Sequence, residues 1–329
     1  MTVSPVPASY FGMVLGIAGL GGAWRVAHRV WGLPPEVGET LMLVGTLLWA
    51  FLVVLYGIKW LVAPEEARRE AEDPIQCCFI GLVGVATSLV ALAALPYSRP
   101  LAEALFGAGA VFTLGFALWR TGVLWQGGRD HNTTTPVLYL PTVAGAFITA
   151  VGAAALGWPD WGQLAFGAGI FSWLAIESVL LHRLYTVRPL PPALRPLLGI
   201  QLAPPTVGTV AYLSVTTPPQ GEAAHILLGY GLLQALILLR LLPWIMQQPF
   251  APSYWAFSFG VTALATAPLR MIERGDSGAV AILAPYLFVA ANIIVAILTV
   301  GTLSLAAQGR LLQAPAKPTE AQNKAKGIS

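Results

Sequence analysis

LMLVGTLLWAFLVVLYGI, residues 41–58, decides the class of fold. The stretch holds no charged residue and no continuous polar face. As a helix it rises about 27 Å, at roughly 1.5 Å per residue. That nearly matches the ~30 Å hydrocarbon core of a bilayer. A helix in a soluble bundle needs one wet face, and this one has none. A membrane β-barrel is excluded as well, because its strands alternate apolar and polar residues over only about ten positions.

Working outward, similar runs recur along the whole chain. Candidate spans cover 10–31, 39–60, 75–95, 101–125, 136–157, 160–184, 197–216, 223–245, 253–271 and 279–305. The connections PYSRP near 96–100 and GWPD near 157–160 are short, so they force antiparallel neighbours. Composition agrees. Hydrophobic residues make up 56% of the 329-residue chain and Asp, Glu, Lys and Arg only 10%, against about 25% in soluble domains. Mean hydropathy is +0.71. The net charge of +3 is small and spread along the chain, which gives no reason to invoke nucleic acid. No basic stretch precedes the apolar run that begins near Tyr10, so this run is expected to stay in the mature protein.

Charge then orients the chain. With ten spans, loops 60–74, 126–135, 185–196 and 246–252 share one side with both termini, and that side carries most Lys and Arg. Arg25, Arg29, Arg99, Arg270 and Arg274 fall on the other. The positive-inside rule places both termini in the cytoplasm. One transmembrane domain is expected over residues 1–309, with a polar, disordered tail over 310–329.

Prolines disclose an internal repeat. Pro7, Pro74, Pro136, Pro196 and Pro252 precede the five odd-numbered spans at intervals of about 60 residues. LFGAGAVFTL at 105–114 is echoed by AFGAGIFSWL at 165–174, and Gly229-Tyr230-Gly231 keeps the Gly-x-Gly spacing. Without a strand before it, this Gly-x-Gly reads as helix packing and not as a phosphate loop. The chain therefore reads as five helical hairpins. Odd spans are rich in Gly, Pro, Ser and Thr, suited to close packing at the centre. Even spans are bulkier and evenly apolar, suited to lipid. The expected fold is all-α, with an inner ring of five kinked odd helices around a pore and an outer ring of five even helices.

Three kinds of residue stand out inside the spans. Pro141, Pro204 and Pro205 break helical hydrogen bonds, and such backbone is tolerated in a membrane only against protein or a wet cavity. Glu177 and Arg240 are ionisable groups inside spans six and eight, and are expected to pair. Arg25 and Arg29 sit at the outer end of span one, where they either gather anions or lie among headgroups. Cys77 and Cys78 read as small core residues. No His, Cys, Asp or Glu spacing suggests a metal or other cofactor, and no nucleophile–base arrangement suggests an enzyme.

Six stretches carry a family resemblance: YFGMVLG at 10–16, TTPVLYLPTVA at 134–144, FGAGIFSWLAIE at 166–177, LGIQLAPP at 198–205, GYGLLQALILLRLLPW at 229–244 and PFAPSYWAFSFGVTALAT at 249–266. They resemble the tellurite-resistance/dicarboxylate transporter family, which is related to the slow anion channels of plant guard cells. The resemblance implies a homotrimer with a pore in each protomer, plugged midway by a phenylalanine of the ninth helix. The pattern Phe257-Ser258-Phe259-Gly260 assigns that plug to Phe259. Gly16 and Gly260 join Pro141, Pro204 and Pro205 as expected kink and lining positions. Plant members often carry proline after the gate residue, and Gly260 departs from that. The implied partners are membrane lipids and small anions such as chloride and nitrate. The implied activity is passive, gated conduction, with tellurite resistance as an associated phenotype. The alternative is a carrier of C4-dicarboxylates or related acids, with or without coupling to protons.

Overall fold

The computed structural model describes residues 6–217 and 222–312. Among them the structure is all-helical, with eleven α-helices. These are α1 (Phe11–Trp31), α2 (Pro35–Val62), α3 (Pro64–Glu72), α4 (Leu82–Ala94), α5 (Arg99–Trp125), α6 (Gly145–Ala155), α7 (Pro159–Thr186), α8 (Ala203–Val215), α9 (Ala223–Ile245), α10 (Ser258–Glu273) and α11 (Ala279–Ala307). Eight helical stretches are long and apolar enough to cross a bilayer.

Local chemistry sets the ends. Pro35 opens α2 and Pro159 opens α7, positions where a missing N–H costs nothing. The Ser98 hydroxyl accepts from the Leu101 N–H to cap α5. Gly32 closes α1 at φ +67°, with its N–H on the His28 carbonyl. This left-handed position suits a residue without Cβ.

The helices fall into two classes. On α1, Phe11, Val14 and Ala23 are fully buried, and α4, α6, α8 and α10 are covered over most of their length. The long helices between them bury a single stripe. On α5 that stripe is Ala102, Phe106, Gly109, Thr113, Phe116 and Arg120, the three- and four-residue spacing of one helix face. The remaining surface stays apolar, with Leu47, Phe51, Val111, Leu164 and Ile293 exposed. Such a surface suits lipid and not water. The chain is a multi-pass membrane protein.

Each long helix packs against the buried helix before it in sequence: α1 with α2, α4 with α5, α6 with α7, α8 with α9, α10 with α11. The buried helices also touch one another. α1 meets α4 and α10, α6 meets α4 and α8, and α8 meets α10.

The Gly-x-Gly repeat has a physical meaning here. A Cβ on Gly109 would lie 2.4 Å from the Ser88 hydroxyl, one on Gly169 2.7 Å from the Phe147 ring, and one on Gly231 2.8 Å from the Thr206 methyl. Positions Gly107, Gly167 and Gly229 have open space. The second glycine of each pair is where an outer helix meets a buried one, and the first faces outward.

The structure amends the sequence reading in three places. First, every buried helix opens on a non-α segment: 3-10 turns at Ala8–Tyr10, Gln76–Gly81, Pro192–Leu202 and Pro252–Phe257, and a 3-10 turn at Pro136–Leu138 followed by a π-helix at Leu140–Ala144. Pro141 lies in that π segment. Pro204 and Pro205 do not kink the middle of a helix. They stand in the first turn of α8, just after the 3-10 segment, where the lost N–H groups are least costly. Second, loop 60–74 contains α3. Its Glu70 accepts from the Ala8 N–H at 2.8 Å, from Lys59 Nζ at 2.7 Å and from the Tyr56 hydroxyl at 3.1 Å. One buried carboxylate thus fixes the opening of α1. Third, the core continues past residue 309. Leu311 and Leu312 pack on it, and the Leu311 carbonyl accepts from Tyr10. Of the tail expected over 310–329, residues 313–329 lie outside the described residues.

Candidate functional site

Two cavities lie among the buried helices. The lower one, about 140 Å³, is bordered by all five non-α openings, through Ser9, Gln76, Leu140, Leu194 and Ser253. The upper one, about 330 Å³, is lined farther along the same helices. Spacing along each helix explains the walls. On α1 Gly12 and Leu15 reach the lower cavity, and Gly19, Gly22, Val26 and Arg29 reach the upper. On α10 the upper wall is Phe259, Thr262, Ala263, Thr266 and Arg270. Ala18 and Arg25 also line the upper cavity, and each set lies on one face of its helix.

Among the described residues only two border both cavities, Phe259 of α10 and Val207 of α8. Both are apolar, and they mark where the two cavities adjoin. The Phe259 ring also packs beside Gly19 of α1, where an added Cβ would come within 3.3 Å of it.

The expected lining residues divide. Pro204 lies on the lower cavity wall. Pro205 faces Gly231 of α9, and around Pro141 it is Leu140, Val143 and Ala144 that reach the cavity. Gly16 and Gly260 are off both walls. A Cβ on Gly16 would lie 2.4 Å from Ser258 Oγ, and one on Gly260 2.9 Å from the Ala203 N. Their role is to let α1 and α8 approach α10.

Arg25, Arg29 and Arg270 line the upper cavity, and Arg274 lies just beyond α10. Arg25 pairs with Glu39 at 2.6 Å and donates to the Leu92 and Ala93 carbonyls. Glu39 also accepts from Tyr97, whose phenol it holds above the ordinary pKa. Arg29 pairs with Glu273 at 2.5 Å. Arg270 donates through Nη1 to Ser214 Oγ at 2.6 Å. Arg274 donates to the Leu213 and Thr216 carbonyls, capping the end of α8, and burial lowers its pKa.

The expected pair of Glu177 and Arg240 does not form. Glu177 is 8% exposed and accepts from the Tyr139 hydroxyl, Trp173 Nε1 at 3.0 Å, Tyr230 at 2.5 Å and Gln234 Nε2 at 3.4 Å. Arg240 is exposed on α9. It stands about 9 Å along the helix from Gln234 and on a different face, since each residue adds roughly 1.5 Å and 100°. Four neutral donors replace the expected cation. Among the described residues no group of His, Cys, Asp and Glu is arranged to hold a metal ion.

The family model of the voltage-dependent anion channels (SLAC1) matches residues 5–303. The chain belongs to that family. Within it, the chain is similar to the tellurite resistance protein TehA homolog of Haemophilus influenzae, at 36% identity over 307 residues, 93% of this chain and 92% of that protein. Similarity extends to the guard cell S-type anion channel SLAC1 of Arabidopsis thaliana, at 23% over 284 residues, 81% of this chain and 50% of the plant protein. The Arabidopsis S-type anion channel SLAH3 is 24% identical over 306 residues, 90% of this chain and 48% of its own length. Against the slow anion channels this chain spans about half of the plant proteins' length.

Two features of this chain escaped the sequence reading. Val207 is one more valine in an apolar run, and nothing in its neighbours marks it. Arg270 did carry a signal. Phe259, Thr262, Thr266 and Arg270 fall on one face of a helix, so a residue assigned as gate also points out its wall.

Proposed function

We propose that the protein is a passive, gated channel for small anions such as chloride and nitrate, with Phe259 as its gate. The observation that carries this reading is that the apolar Phe259 and Val207 line both cavities, which we read as a waist between them. An apolar constriction blocks ions by steric closure and by dewetting. Displacing one aromatic ring would join the cavities into a path from the 3-10 openings to the arginine end.

The pore is read as running along an axis enclosed by α1, α4, α6, α8 and α10, with α2, α5, α7, α9 and α11 outside. Ten spans fit this reading. At about 2.0 Å per 3-10 residue and 1.5 Å per α-residue, Pro192–Val215 and Pro252–Glu273 rise roughly 40 and 36 Å, enough for a ~30 Å core. The Lys and Arg bias supports termini in the cytoplasm of a bacterial inner membrane. The names of the relatives support anion transport and a link to tellurite resistance. A homotrimer is proposed from the resemblance alone.

Planar-bilayer recording of purified wild type and Phe259→Ala tests the reading. Small wild-type current and a large, linear chloride current in the variant are expected. No current from either folded protein would overturn the channel and favour a dicarboxylate carrier, to be sought as saturable flux.

A further inference from the structure

We infer that Arg270 is an anion-binding residue of the upper cavity and the main source of its charge selectivity. The inference rests on the channel reading above and adds to it a site and a class of ligand, a singly charged inorganic anion.

A count of donors leads to Arg270. An anion in this cavity needs N–H or O–H groups, because a buried charge without partners is very costly. Thr262 and Thr266 line the wall, but their hydroxyls donate to the carbonyls of Phe259 and Thr262, at 3.1 and 2.8 Å. Arg25 is committed through Nε, Nη1 and Nη2 to Glu39, Leu92 and Ala93. Arg29 is committed to Glu273 and to the Arg25 carbonyl. Each of these two arginines is neutralised by a carboxylate.

Arg270 differs. Its one hydrogen-bond partner among the described residues is the neutral Ser214 hydroxyl, which in turn donates to the Val210 carbonyl. Its Nε is buried without a protein partner. No carboxylate among the described residues lies within ion-pairing distance of it. The cavity wall thus carries two cations in contact with a carboxylate and one that has none in contact, Glu273 being paired with Arg29 and acting on Arg270 only at longer range. A single uncompensated charge favours a monovalent anion, and one contact lets the ion leave again, as conduction requires. The place fits the pore too. Arg270 and Phe259 share one face of α10, about three turns or roughly 16 Å apart.

Two measurements on the purified full-length protein test this. Chloride-35 NMR line broadening reads weak chloride binding without any current. Arg270→Gln should cut the excess line width at least threefold. Arg270→Lys should keep at least half of it, and Arg99→Gln, which alters an exposed arginine outside the cavity, should leave it unchanged. In bilayers, on the Phe259→Ala background, Arg270→Gln should lower the chloride-to-potassium permeability ratio several-fold. Unchanged line width and unchanged permeability ratio in folded Arg270→Gln would overturn the inference while leaving the channel standing. Line width lost in Arg270→Gln, with no current through Phe259→Ala, would keep the site and overturn the channel. Bromide anomalous scattering from wild-type crystals needs no substitution: density beside Arg270 supports the site, and density only elsewhere overturns it.

Discussion

The Tyr139 hydroxyl donates a hydrogen bond to Glu177, joining the opening of a buried helix to the outer helix behind it. Tyr139 also lines the lower cavity, so the carboxylate holds part of the cavity wall in place. Trp173, Tyr230 and Gln234 aim at the same group. Removing it would leave these donors without their acceptor. One stranded buried donor costs about 1–3 kcal/mol, and polar contacts inside membranes measure nearer 0.6–1.7. Glu177→Ala should therefore destabilise by roughly 2 kcal/mol, read as a clear fall in the Tm of the detergent-purified protein. Glu177→Gln should cost less, because it keeps one acceptor. Arg240→Ala should leave the Tm unchanged. A fall as large as that of Glu177→Ala would restore the ion pair expected from sequence.

The glycine pairs give a test in which each pair supplies its own control. Gly169 faces the Phe147 ring at a distance no Cβ tolerates, whereas Gly167 faces open space. Gly169→Val should lose folded yield and lower the Tm, by about 1–3 kcal/mol as for other overpacked sites. Gly167→Val should change neither. Size-exclusion profiles and melting curves of the two variants check this, and equal behaviour would remove the packing explanation of the repeat. The same contrast is expected between Gly109 and Gly107.

Much of the fold was legible because the bilayer imposes simple rules. Long apolar runs had to be helices, and the proline interval marked where each buried helix opens before any contact was known. The openings were less legible. A proline predicts a disturbed turn, but not whether the chain answers with 3-10 turns, as around Pro196, or with a π-helix, as around Pro141. That choice depends on neighbouring helices. Polar partners were least legible of all. Glu177 and Arg240 invited pairing by charge, yet Tyr139, Tyr230 and Gln234 hold the carboxylate, and sequence gives a helix face only after the register of two helices is fixed. At the site, Phe259 came from the resemblance, whereas Val207 and Arg270 needed the cavities to pick them out.

Lys59 and Glu70 form a buried pair at 2.7 Å, with both side chains under a tenth exposed. Such a pair is poor evidence of net stability, because desolvation offsets the attraction. Breaking it is different. Glu70→Ala leaves Lys59 buried without a counter-charge and frees the Ala8 N–H, so a loss of about 3–5 kcal/mol is expected. Lys59→Met with Glu70→Leu should recover most of that loss. Melting curves of the single and double variants decide it, and a double variant as unstable as Glu70→Ala would mean that the Ala8 contact dominates.

The waist makes the sharpest prediction, because two residues from different helices share it. If Phe259 blocks the path by bulk, the current through Phe259 variants should rank by the volume removed, with Ala above Leu and Leu above wild type. Val207, on the neighbouring α8, lines both cavities as well, so bulk returned there should close the path again. In the Phe259→Ala background, Val207→Trp should cut chloride conductance at least tenfold, equivalent to about 1.4 kcal/mol on the barrier at the waist. Val207→Ala alone should raise wild-type current only slightly, since the aromatic ring remains. Single-channel recording separates a smaller conductance from a lower open probability. A Val207→Trp double variant that conducts as well as Phe259→Ala would place the constriction elsewhere and leave Phe259 as a packing residue between α10 and α1.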